Sequence, residues 1–214
     1  MPKEPSTAKK VAEYLLQIKA IKLEPKNPFT WASGWQSPIY CDNRITLSYP
    51  EIRRFLSKAM ANEIKTKYPQ TKAIAGVATG AIGIGMLVAE ALDLPFMYIR
   101  PQPKKHGRQN QIEGQYDVDA PTVVVEDLIS TGKSSLQAID ALRNANINVL
   151  GMLALFSYEF DVAEDNMKQA VVELTTLSGY NTLIETAVAA GYIEQEQEEV
   201  LKQWHKAPAL WSPK

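Results

Sequence analysis

Short apolar runs recur along this chain, and stretches of helical periodicity separate them. Ala73–Val77, Phe96–Arg100, Val123–Glu126, Val149–Leu155 and Val171–Leu174 are continuous and apolar, as strands covered on both faces must be. Segments near 81–92, 132–145 and 180–191 repeat apolar residues three and four apart and read as helices between several of those strands. This alternation predicts an α/β fold with a central parallel sheet flanked by helices. Ahead of it, Val11, Tyr14, Leu15, Ile18 and Ile21 share one face of a predicted helix over 7–21, which Pro25 and Pro28 end. Another helix is expected after Ser48-Tyr49-Pro50-Glu51, with the proline in its first turn and Ile52, Phe55, Leu56, Ala59 and Met60 on its apolar face.

Composition narrows the possible partners. A chain of 214 residues with no internal repeat suits a single domain, 1–214, with a small extra element. A net charge of -1 gives no overall basic field for nucleic acid or an anionic membrane, so any attraction for phosphate must be local. The single cysteine, Cys41, excludes a disulfide within this sequence and any multi-cysteine metal site, and reads as a small half-buried hydrophobe. The opening MPKEPSTAKK lacks an apolar signal core, and no run of about 18 apolar residues follows, so a cytoplasmic protein is expected.

Between the strands ending at Arg100 and starting at Val123 the rhythm breaks, with more chain than a simple connection needs. Arg100, Lys104, Lys105 and Arg108 bring four positive charges without an intervening acid, and Gly107 and Gly114 are possible hinges. A solvated surface loop is one reading. A mobile, anion-clamping lid over about 101–120 is the reading preferred here.

Candidate chemistry concentrates in VVVEDLISTGKSS, residues 123–135. A strand feeds a turn that opens a helix through Leu136, Ile139, Ala141 and Leu142, the place where open α/β sheets bind ligands. Backbone N–H groups there and the hydroxyls of Ser130, Thr131 and Ser134 suit a phosphate. Two acids precede them, Glu126 and Asp127, which would repel a polyphosphate lying along the whole turn. As acceptors they instead suit vicinal ribose hydroxyls, so the residues themselves describe a ribose 5-phosphate site.

VVVEDLISTGKSS closely resembles the ribose-binding signature of the type I phosphoribosyltransferases, whose sugar substrate is 5-phosphoribosyl 1-diphosphate (PRPP). The resemblance implies that family's fold, with a small N-terminal hood over about 1–45. It also implies PRPP binding by Glu126, Asp127, Leu128, Ile129, Ser130, Thr131, Gly132, Lys133 and Ser134.

A second segment, Asn27 to Arg44, is aromatic and extended, with tight turns at Ser33-Gly34 and Ser37-Pro38, and by itself suits either core packing or stacking on a flat ring. It resembles the N-terminal motif of the orotate phosphoribosyltransferase branch. The basic loop resembles that branch too, in Arg100, Lys104, His106, Gly107 and the ending Asn110-Gln111-Ile112-Glu113-Gly114. These resemblances imply transfer of the phosphoribosyl group to orotate, giving orotidine 5′-monophosphate and diphosphate. Arg100, Lys104 and His106 would clamp the diphosphate and Asp127 would steady the sugar. Mg²⁺ would be held mainly by PRPP, with no certain protein ligand. A homodimer is implied, with the loop of one subunit over the other's site.

Some positions depart from the enterobacterial pattern: Pro101 and Ala32 replace lysines, Thr79-Gly80 replaces a Tyr-Lys pair, and Tyr158 stands where an arginine is expected. They accompany the FTWxSG and SPIYxDNR forms of another branch and read as its style. They leave orotate's carboxylate to main-chain N–H groups near Tyr40 and Cys41, with Ser130. Alternatives are transfer to a different base, which would not account for residues 27–44, and a non-catalytic PRPP sensor, which would be expected to lose the lid cations. His205 reads as a surface or core residue.

Overall fold

The chain opens with a helix that stops early. In a computed structural model describing residues 6–31, 34–102 and 111–212, helix α1 (Thr7–Gln17) begins where the Ser6 hydroxyl accepts the Lys9 N–H. The expected continuation to residue 21 fails because Lys19 adopts a left-handed φ of 55°. Ile21 instead enters strand β1 (Ile21–Leu23). A ribbon of β2 (Phe29–Thr30) and β3 (Gln36–Ser37) follows, and then β4 (Ile39–Cys41), which pairs antiparallel with β1. A 3-10 turn over Asn43–Ser48 leads into α2 (Pro50–Lys67), with its proline in the first turn as expected.

The alternating part supplies β5 (Ala73–Val77), α3 (Gly80–Leu92), β6 (Phe96–Ile99), β7 (Ile112–Glu113), β8 (Thr122–Ile129), α4 (Lys133–Asn144), β9 (Val149–Ser157), α5 (Asp161–Gln169), β10 (Leu174–Gly179), α6 (Tyr180–Ala189) and α7 (Gln195–Lys206). Among the described residues one six-stranded sheet runs β10-β9-β8-β5-β6-β7, parallel except for edge strand β7. β8 lies inside it, and its valines show why the run is unbroken. Val123 and Val125 pack on the face toward α1, α2 and α3, while Val124 points to the face toward α4 and α5.

Two expectations shift. The last strand was expected at Val171–Leu174 but begins at Leu174, because α5 is followed by a turn in which Val171 takes a φ of 53° and stands 83% exposed. Helix α7 was not expected. Its capping box, Glu194 with Gln197, and the buried Leu201 and Trp204 three apart were the available signals.

The order β8-β5-β6 means that the chain leaves β5 toward one side of the sheet and later returns on the other side. Between the carboxyl ends of β5 and β8 the connections therefore diverge and leave a crevice.

Candidate active site

That crevice is a cleft of about 410 Å³, lined by the ends of β5 and β8, the turn into α4, and the hood residues Cys41, Asp42 and Arg44. On its floor Glu126 is 4% exposed. Its Oε2 accepts the Ser135 hydroxyl at 2.8 Å, and its Oε1 accepts the Asp127 N–H at 3.0 Å. Burial, with the neighbouring Asp127 charge, pushes the Glu126 carboxyl well above the usual carboxylate range. Burial raises Asp127 as well, against the pull of Arg44. Asp127 closes against α3, where a Cβ on Gly80 would overlap its carboxylate and force it to turn aside.

Beyond the acids, Ser130, Thr131, Gly132 and Ser134 line the cleft at the amino end of α4. Gly132 makes the turn with a φ of 76°, and the Asn166 amide donates to the Thr131 carbonyl at 3.0 Å, fixing the loop from behind. The N–H groups of this first helical turn have no partner within the helix and suit an anion. Leu128 also lines the cleft. Ile129 is fully buried in the core, so it can offer only main chain, and Lys133 is exposed and does not line the cleft.

The hood is tied to this floor by Asn43, whose side-chain amide donates to the Asp127 carbonyl at 2.6 Å. Cys41 lines the cleft, with its thiol on the Asn43 side-chain oxygen at 3.3 Å. Burial and the nearby carboxylates of Asp127 and Asp42 push the thiol well above its ordinary value, so it is no nucleophile. Tyr40 does not line the cleft and its ring packs 5.5 Å from Phe29. Along the β1–β4 ladder, Asp42 N–H bonds Ala20 O and Glu24 N–H bonds Pro38 O. The alternation commits the Tyr40 N–H to β1 and turns the Cys41 N–H away from it.

The aromatic residues of the hood divide between packing and exposure. Trp31 lies 5.2 Å from Tyr158 and 5.6 Å from Trp204, and its Nε1 donates to the Ile39 carbonyl at 3.1 Å. Tyr158 is 2% exposed inside this cluster, and burial holds its hydroxyl protonated by pushing it well above its ordinary value. His205 stacks on Tyr180 at 4.3 Å and approaches the Tyr158 carbonyl at 2.6 Å, so it belongs to the same packed wall.

Arg100 stands at the end of β6, 3.4 Å from Glu113 of β7, and does not line the cleft. Its main chain pairs with Gln111, so the intervening segment leaves and rejoins the sheet edge at one point. Lys104, Lys105, His106, Gly107 and Arg108 lie outside the described residues, as do Ala32 and Ser33. Asn43, Ser135 and Asn166, which hold the site together, were not anticipated. For Asn43 the signal was a run of polar residues, Asp42-Asn43-Arg44, directly after the apolar Ile39.

Residues 44–174 match the phosphoribosyl transferase domain. The chain is 52% identical to an orotate phosphoribosyltransferase of Porphyromonas gingivalis over 203 residues, covering 95% of this chain and 97% of the relative. The chain belongs to the orotate phosphoribosyltransferase family. A relative from Bacteroides thetaiotaomicron is 54% identical over 200 residues, 94% of each chain. The fold is shared with the crystal structure of orotate phosphoribosyltransferase from Aeropyrum pernix, with a TM-score of 0.73, 26% identity and coverage of 86% of this chain and 99% of that one. In this chain, residues 126–128, 130–132 and 134 of the 123–135 segment come to lie at the cleft between β5 and β8. No described helix is long and apolar enough to cross a membrane.

Proposed function

We propose that this chain transfers the 5-phosphoribosyl group of PRPP to a ring nitrogen of orotate, releasing diphosphate and forming orotidine 5′-monophosphate for pyrimidine synthesis. The observation that carries this reading is identity above 50% with orotate phosphoribosyltransferases over nearly their whole length.

In this reading the α4 amino end, with Ser130, Thr131 and Ser134, holds the 5′-phosphate, and Glu126 and Asp127 accept the ribose hydroxyls. The C1′–diphosphate bond breaks to leave an oxocarbenium-like sugar, as in glycoside cleavage. Charge develops chiefly on the departing diphosphate, so stabilisation there matters most. Arg100, Lys104 and His106 supply it, the loop of one protomer acting over its partner's cleft in a homodimer. The nucleophile is orotate's own ring nitrogen, whose N–H proton passes to the departing diphosphate or to water as the N–C1′ bond forms, so the chain provides no nucleophile. The raised Cys41 thiol agrees with that.

The two hard oxygen donors Glu126 and Asp127 suit an ion carried mainly by PRPP's own oxygens. Mg²⁺ bound in that way would neutralise charge on the leaving diphosphate. Cytoplasmic residence belongs to the same proposal, since cytosolic pyrimidine synthesis would supply the orotate.

The deciding experiment follows loss of orotate's ultraviolet absorbance with PRPP and Mg²⁺, with uracil and hypoxanthine in parallel by product chromatography. Orotate consumption matched by diphosphate release supports the assignment. Consumption of another base, or PRPP binding without turnover, replaces it.

A further inference from the structure

Among the described residues lining the cleft there are three carboxylates, Asp42, Glu126 and Asp127, and one cationic side chain, Arg44. The turn after β5 faces the same space through Ala78, Thr79 and Gly80, which carry no charge. With its 5′-phosphate at α4 and its hydroxyls on Glu126 and Asp127, a ribose would present its C1′ substituent beyond those acids, to the part of the cleft lined by the 78–80 turn and by Asp42 and Arg44. A diphosphate there would meet the Asp127 carboxylate, and repulsion at such range must be offset by a nearby cation.

Arg44 is placed for this. Its Nε donates to Asp42 Oδ1 at 2.7 Å and its Nη2 to Oδ2 at 2.8 Å, a two-point fork that fixes the plane of the guanidinium. Of its five N–H donors, two are used by that fork, and the side chain lines the cleft and is 58% exposed. The Asp42–Arg44 pair is itself fixed to the floor, because Asn43 between them holds the Asp127 carbonyl. Asp42 thus orients the guanidinium while its remaining edge is open to an anion.

We infer that Arg44, oriented by Asp42, binds the diphosphate of PRPP from the hood side and makes good the absence of a cation in the 78–80 turn. The inference rests on the phosphoribosyl transfer proposed above. It assigns the diphosphate a contact within the same chain as the ribose site, separate from the loop cations. An arginine suits the position better than a lysine, because its fork can hold Asp42 and a phosphate on different edges.

The test titrates inorganic diphosphate with Mg²⁺ into the wild type, Arg44→Gln and Arg44→Lys by calorimetry, and measures KM for each substrate. Arg44→Gln should weaken diphosphate binding and raise the PRPP KM by about tenfold or more, with the orotate KM moving less than about twofold. Arg44→Lys should fall between. The melting temperature should hardly change, because an exposed pair of this kind adds little stability. Unchanged diphosphate affinity in folded Arg44→Gln overturns the inference, and a rise in the orotate KM alone reassigns Arg44 to the acceptor's carboxylate. If the wild type consumes no orotate, the transfer reading fails, while the diphosphate titration still decides the role of Arg44.

Discussion

On one side of the cleft, Glu126 and Asp127 extend from a strand flanked by parallel neighbours, and the turn into α4 is held by Asn166 and Ser135. On the other side, Cys41 ends a three-residue strand whose partner is equally short, Asp42 and Arg44 follow it, and one amide, Asn43, bridges the two sides. The sugar-phosphate side is thus built in advance by the sheet. The hood side depends on local ribbons, an aromatic cluster and isolated long-range hydrogen bonds, Asn43 to the Asp127 carbonyl and the Trp204 indole N–H to the Gln36 carbonyl. In the proposed reaction, ribose and phosphate need a fixed array of donors and acceptors, and the built side supplies one.

The sharpest way to break this contrast is to remove charge from the loop without touching either wall. Lys104→Ala should lower kcat by roughly 10²–10⁴, by analogy with loss of a transition-state donor, while the melting temperature and diphosphate-free PRPP analogue binding stay near wild type. Steady-state kinetics beside calorimetry would check it. A loss below about threefold would mean that the built walls carry catalysis and the loop is only a cover.

A smaller effect is expected from crowding the built side. Gly80→Ala places a methyl group against the Asp127 carboxylate, which must swing away from its present position while its main chain stays held by Asn43 and Glu126. A displacement of about 1 Å at a positioned group can cost about 10²-fold in kcat/KM, so a loss of roughly 10- to 100-fold is expected, read mainly in PRPP. The companion Asn43→Ala should affect both substrates by loosening the hood, and it should lower stability by about 1–3 kcal/mol through an unsatisfied carbonyl. If Gly80→Ala is silent, the floor is softer than its hydrogen bonds imply.

The two sides also differ in how readily the sequence disclosed them. The sugar-phosphate side is one contiguous piece of chain, so a valine run, two acids and Ser130-Thr131-Gly132 appear in reading order. The hood wall brings together Trp31, Cys41, Tyr158 and Trp204, residues whose separation hides their contact. Trp31 could be read as stacking on a base or as packing, and only the contact with Tyr158 and Trp204 decides for packing. Likewise, the helix expected to reach residue 21 and the strand expected from Val171 fail at Lys19 and Val171, residues whose left-handed backbones no side-chain pattern announces.

Titration of the floor sharpens the contrast further. Glu126 and Asp127 are both raised by burial, so the folded chain holds protons that the unfolded chain would release. A carboxyl with a raised folded value adds stability below its unfolded titration, and that stability is lost as pH rises through the raised value. Wild-type stability should therefore fall as pH climbs from the ordinary carboxylate range through the raised values, by about 1.4 kcal/mol per pH unit for each group that is protonated in the fold and ionised in the unfolded chain. Glu126→Gln keeps the shape and removes the titration, although it alters one acceptor for Ser135 and the Asp127 N–H. Its melting temperature should gain on wild type as pH rises from about 5 to about 8, while PRPP binding weakens because a ribose acceptor is lost. Scanning calorimetry across that range would settle it. A constant gap between the two proteins would mean that Glu126 is ionised in the fold at every pH tested, and that the built side tolerates its charges without PRPP. A widening gap would mean that the site keeps two acceptors ready for the sugar at the expense of its own stability.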